Sequence, residues 1–205
     1  IQGPPMATED FFKLCKSGTF KEVQVAIKSG VNVNARNEYG VTPLMFAVEY
    51  NEDREVIKTL INAGADVNAE DESDKTPLMY ASEYCKNEKI VKLLLRSRAE
   101  INARNKYGEI SLMHGAWNAN SEITKLLIQA GAEVNVQDLH GRTSLMKAAG
   151  YNENAEVIRL LLEAGENVNV ADNEGKTSLM YAAENNSNVE VVSLLLNAGA
   201  DINAV

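Results

Sequence analysis

The feature that most constrains this chain is a tetrapeptide that keeps returning. Thr42-Pro43-Leu44-Met45 reappears as Thr76-Pro77-Leu78-Met79, Ile110-Ser111-Leu112-Met113, Thr143-Ser144-Leu145-Met146 and Thr177-Ser178-Leu179-Met180. Its leucines step by 34, 34, 33 and 34 residues. A second marker runs in phase. Gly30-Val31-Asn32-Val33-Asn34 recurs at Gly64 to Asn68, Arg98 to Asn102, Gly131 to Asn135, Gly165 to Asn169 and Gly199 to Asn203. Two markers locked at one period describe a stack of like units, none of which can bury its apolar face alone.

Each unit reads as two helices and a turn. Thr42 suits an N-cap and Pro43 the first helical turn, so a helix is expected to about Tyr50. After a polar turn at Asn51-Glu52-Asp53, a second helix is expected over about 53–62. It sets Val56, Ile57, Leu60 and Ile61 on one face. Gly64 suits the left-handed residue that ends a helix. The polar stretch from Asp66 to Asp74 fits a β-hairpin-like finger with a turn at its tip.

With these residues in place, the unit resembles an ankyrin repeat, whose pattern is a T-P-L-H start, an apolar second helix and a G-A-D-V-N close. The resemblance covers essentially the whole chain, with T-P/S-L-M starts closer to bacterial-type members. It implies an all-α repeat solenoid of six units with finger loops. These are a divergent cap at 6–40 and repeats at 41–74, 75–108, 109–141, 142–175 and 176–205. Residues 1–5 read as a tag or cloning remnant.

Departures from the pattern carry their own expectations. The family histidine is methionine at Met45, Met79, Met113, Met146 and Met180, where it is expected to fill space without hydrogen bonding. Unit 109–141 is one residue short between its helices. It also replaces the capping threonine by Ile110, at a cost of about 0.5–2 kcal/mol, and places Gly115 inside a helix, at about 1 kcal/mol. It is expected to be the weakest unit. Arg98 takes the helix-ending glycine position, where remodelling of the turn is expected, and Asp74 takes a finger-glycine position that Asp tolerates. Asn34, Asn68, Asn102, Asn135, Asn169 and Asn203 share one register and are expected to tie adjacent fingers together.

Nothing assembles a catalytic centre. The two histidines, His114 and His140, fall in different elements, and no phosphate loop, nucleophile elbow or zinc-helix motif is present. The expectation is a non-enzymatic protein with no cofactor and no metal; a small-ligand or metal site near His114 and Trp117 is a minor alternative. A net charge of −9 opposes nucleic-acid phosphates and anionic membranes. Cys15 and Cys85, with neither disulfide framework nor metal spacing, mildly favour a reducing, cytoplasmic setting.

Binding has a clearer signature. The resemblance implies recognition through finger tips and the exposed side of the first helices, on a concave groove. Thirty positions there, about 15% of the chain, hold all seven tyrosines and the single tryptophan. The expected partner-binding residues are Tyr39, Phe46, Tyr50, Tyr80, Tyr84, Tyr107, His114, Trp117, Tyr151 and Tyr181 with Glu49 and Glu83. Tyr80 and Tyr181 also suit inter-repeat packing, so Tyr50, Tyr84, Trp117 and Tyr151 form the informative set. Glu38, Glu49, Glu72, Asp74 and Glu83 make the first half acidic, which suits a protein or extended peptide with a basic segment. The alternative is a structural spacer or self-associating module. The last unit reads as an internal one, so either its apolar face pairs weakly with another copy or the chain continues past residue 205.

Overall fold

The computed structural model describes Pro4 and residues 6–205, so the expected remnant at 1–5 lies, apart from Pro4, outside the described residues. Among the described residues there are twelve α-helices and no strand; one isolated bridge joins Ala171 to Thr177. The chain forms two compact units, Ile1–Glu100 and Ile101–Val205. The first holds α1 (Thr8–Ser17), α2 (Phe20–Lys28), α3 (Pro43–Tyr50), α4 (Arg54–Asn62), α5 (Pro77–Tyr84) and α6 (Glu88–Arg96). The second holds α7 (Ser111–Gly115), α8 (Ser121–Gln129), α9 (Ser144–Tyr151), α10 (Ala155–Glu163), α11 (Ser178–Asn185) and α12 (Val189–Asn197). In the first unit α3 packs between α1 and α5, and α4 between α2 and α6; in the second, α9 packs between α7 and α11, and α10 between α8 and α12.

Capping chemistry fixes the helix starts. Thr42 Oγ1 accepts the Met45 N–H at 3.3 Å, and Thr76, Thr143 and Thr177 repeat the contact. Asp53, Asn87, Asn120, Asn154 and Asn188 each cap a second helix by accepting the N–H two residues on. Each cap satisfies one of the donors a helix start leaves orphaned. The second helices then bury the predicted faces: Val56, Ile57 and Leu60 are fully buried in α4.

Neighbouring repeats are stitched by side-chain amides. Asn34 Nδ2 donates to the Gly64 carbonyl at 2.9 Å, and Asn34 Oδ1 accepts the Asp66 N–H at 2.8 Å. Asn68, Asn102, Asn135 and Asn169 repeat both bonds. They reach the turn that ends the next second helix, so the finger-to-finger tie expected of them is corrected to a finger-base-to-helix-end tie. A second amide row lies in the inter-helix turns. Asn51 Nδ2 donates to the carbonyls of Cys15 and Gly18, and Asn152 and Asn186 do the same one repeat at a time. Cys85 stands in this row, its thiol donating to the Val48 carbonyl at 3.3 Å. Burial pushes the Cys15 and Cys85 thiols up to about 12.

Three expectations are overturned. Met45 does more than fill space: its Sδ accepts the Thr42 N–H at 3.4 Å, because the thioether reaches back to the cap. Arg98 keeps φ at 68° and the turn is not remodelled. Its N–H donates to Leu95 and the next N–H to Leu94, the pattern Gly64 and Ala65 make with Ile61 and Leu60. The hydrogen bonds of the turn hold the strained residue in place. Gly115 is not inside a helix but ends α7, which is five residues long where α3, α5, α9 and α11 have eight. A Cβ on Gly115 would meet Leu127 Cδ1 at 2.9 Å, so the residue admits a close approach of α8. The shortened span between caps therefore removes a helical turn, leaving 116–120 outside the helices. Asp74, at φ 59°, adopts the left-handed conformation as expected.

Candidate partner-binding surface

Each finger closes on one side chain. Asn37, Asp71, Asn105, Asp138 and Asp172 accept the backbone N–H groups two and four residues on. This local turn lifts Tyr39, Ser73, Tyr107, His140 and Glu174 to the tips. Fingers in the same unit also join by backbone: Glu72 N–H donates to Tyr39, Leu139 to Tyr107, and Asn173 to His140.

The base of each finger is matched to the residue after the methionine. Tyr80 Oη donates to Asp71 at 2.7 Å, Lys147 Nζ lies 3.3 Å from Asp138, and Tyr181 Oη donates to Asp172 at 2.6 Å. Where the base is Asn37 or Asn105, the partner position carries Phe46 or His114 instead of a matched donor to a carboxylate. This pairing is visible in the sequence at a spacing of nine residues and was missed there, because the finger bases read only as polar loop.

In the first unit the Phe46 and Tyr50 rings meet edge-on at 4.9 Å, and Tyr80 and Tyr84 lie 6.3 Å apart. Lys75 Nζ sits 4.4 Å from the Tyr80 centroid and 4.8 Å from that of Tyr84, and pairs with Glu83 at 2.7 Å. Burial first, then donation to Asp71 and Glu83 respectively, raises the Tyr80 and Tyr84 phenols well above their usual range, so both stay protonated donors. In the second unit Trp117 and Tyr151 stack at 5.0 Å with 14° between planes. Lys147 lies beneath, 5.9 Å from the indole and only 4% exposed, paired with Glu109 at 2.7 Å. Arg142 Nε adds a bond to Asp138 at 3.1 Å, and His114 Nε2 stands 3.6 Å from Glu109. Burial would raise the Glu109 carboxyl; hydrogen bonds from Lys147 and Asn105 outweigh it and hold it below the usual carboxylate range.

The expected site residues therefore divide. Tyr39, Tyr50, Tyr84, Tyr107, Trp117 and Tyr151 are exposed, each by 44% or more. Phe46, Tyr181, Glu49 and Glu83 are half-buried, and Tyr80 and His114 are buried. Tyr80 and His114 thus support the surface from below: Tyr80 bonds the finger base Asp71, and His114 Nε2 faces Glu109. Among the described residues no cluster of three or more His, Cys, Asp or Glu side chains could hold a metal, around His114 or elsewhere. None of the described helices is long and apolar enough to cross a membrane.

A family profile described as ankyrin repeats (three copies) matches residues 11–105 and 112–205, and a second, ankyrin repeats (many copies), matches 86–128. The chain belongs to the ankyrin-repeat family. Ankyrin repeats are generally protein–protein interaction modules, and the family is typically non-enzymatic. A search of curated proteins returned no match to this ankyrin chain.

Proposed function

We propose that this protein is a non-enzymatic scaffold that binds a partner protein or extended peptide through the finger tips and first helices of its units. The observation that carries this reading is the set of six exposed aromatic residues, Tyr39 and Tyr107 on finger tips, Tyr50, Tyr84 and Tyr151 at the ends of first helices and Trp117 just past α7, held in place by buried ion pairs and finger hydrogen bonds. Tyrosine and tryptophan bury large areas at low entropic cost. The rings are 44–63% exposed, so about half of the 150–250 Å² an aromatic can cover remains to be buried, and the three rings of either unit would supply about 200–400 Å² of the roughly 800 Å² a standard interface takes from one partner, with the surrounding finger residues adding the rest. The test is a random peptide library selected on the protein. Enriched peptides are expected to lose at least tenfold in affinity on Tyr84→Ala combined with Trp117→Ala. Unchanged affinity, or no enrichment, refutes the reading.

A second reading, self-association, is favoured by one observation. Leu179, Met180, Val192, Leu196 and Ile202 line an apolar hollow of about 350 Å³ on the last helix pair, with Ile202 75% exposed. Sedimentation over a hundredfold concentration range tests it: a constant mass removes this alternative.

A further inference from the structure

Two repeats of this chain carry a built-in cation seat. Lys75 lies over the Tyr80 and Tyr84 rings and bonds Glu83, eight residues on, at 2.7 Å. Lys176 bonds Glu184, again eight residues on, at 2.7 Å, with its ammonium 5.7 Å from the Tyr181 ring. The repeat that begins at 41 has the acid and the rings without the cation. Glu49 stands at the Glu83 position, and Phe46 and Tyr50 at the ring positions, but Val41 replaces the lysine. The backbone is the same at both places: the Val41 and Lys75 N–H groups each donate to the side-chain Oδ1 of the finger base at 3.0 Å, and their carbonyls accept the backbone N–H of that same residue at 3.1 Å.

The result is a pocket of about 420 Å³ in the first unit. Tyr39, Phe46, Tyr50 and Tyr80 line it together with Glu49 and Glu72, and no lysine or arginine does. Lys16 touches the Tyr50 ring at 4.7 Å but is not among the lining residues. Glu49 is half-buried at the edge of this pocket, and among the described residues no lysine or arginine pairs with it. Aromatic faces attract cations, and a half-buried carboxylate strengthens that attraction.

We propose that this pocket takes the ammonium of one lysine side chain from the partner, seated against Glu49 and the surrounding rings as Lys75 is seated against Glu83. The proposal rests on the partner-binding reading and specifies its anchor.

The test uses Nα-acetyl-lysine methylamide and its norleucine counterpart as probes, followed by ¹⁵N chemical shifts of the whole protein. The lysine probe is expected to give saturable shifts at Tyr39, Glu49, Tyr50 and Glu72. Val41→Lys, which supplies the cation internally, and Glu49→Gln are each expected to weaken binding at least about tenfold. Helical circular dichroism checks that both variants fold. No saturable shift, an equal response to norleucine, undiminished binding in Val41→Lys, or tighter binding of a trimethyl-lysine probe, which cannot donate to Glu49, overturns the proposal. The library peptides separate the two readings. If they bind through Tyr84 and Trp117 yet need no lysine, partner binding stands and the lysine seat falls.

Discussion

Glu166 occupies a position that is alanine in the neighbouring copies of the same marker, at Ala65, Ala99, Ala132 and Ala200. It is 5% exposed, and its Oε1 accepts the Leu145 N–H at 2.8 Å at the start of α9, while Oε2 is buried without a hydrogen-bond partner. Burial raises its carboxyl to about 7, against the lowering effect of the Thr143 and Leu145 hydrogen bonds. The unfolded chain holds the same group at about 4.5. Between those values the native state binds the extra proton, so stability from this group is fully present below about pH 4.5 and is lost as pH rises through about 7. The separation corresponds to about 3 kcal/mol. Glu166→Ala and Glu166→Gln both remove the titration. Relative to either variant, the native protein is expected to lose about 3 kcal/mol between pH 4.5 and 8. Urea unfolding at fixed ionic strength reads this directly, with fluorescence of Trp117, the only tryptophan, reporting on the same unit. Differences between native protein and variants that stay constant across this range to within about 0.5 kcal/mol would refute the reasoning.

Three further outcomes follow from single sites. Arg98→Gly is expected to raise stability by about 1 kcal/mol, because it relieves a left-handed arginine whose side chain is exposed; a lower melting temperature would show that the arginine is held by a contact. Lys147→Met leaves Glu109 and Asp138 without their shared cation and should cost about 3–5 kcal/mol, toward the lower end because Arg142 still bonds Asp138; equilibrium denaturation measures it, and a neutral result would make the cluster dispensable. Amides of α7 are expected to exchange faster than those of α3 and α9, since α7 has five residues and no side-chain cap; slower exchange there contradicts the reading of a weak repeat.

Much of the fold was legible along the chain because the same local problem is solved again and again. A hydroxyl that caps, a proline at the first helical position and a glycine that ends a helix act within a few residues, so their spacing alone marks the helices. The misreadings arose where a local rule met a neighbouring element. Gly115 reads as a helix defect until α8 is seen pressing against it. Arg98 reads as a reason to remodel the turn until the bonds to Leu94 and Leu95 are seen holding it. For the candidate surface, the tally of rings located the elements but could not tell Tyr80, turned inward to Asp71, from Tyr84, turned outward. Both are tyrosines on the same helix, separated only by which face the packing covers.

Repetition in the sequence by itself determined the architecture: helix pairs of one period, stacked because no pair buries its own apolar face, and aromatic residues gathered on the fingers and first helices. Tertiary structure alone decided which of those aromatics meet solvent and which charges are already neutralised within the protein. The physical reason is range. Caps and turns are settled by neighbours three or four residues away, whereas burial and ion pairing depend on side chains brought together from repeats more than thirty residues apart, as Lys147 and Glu109 are.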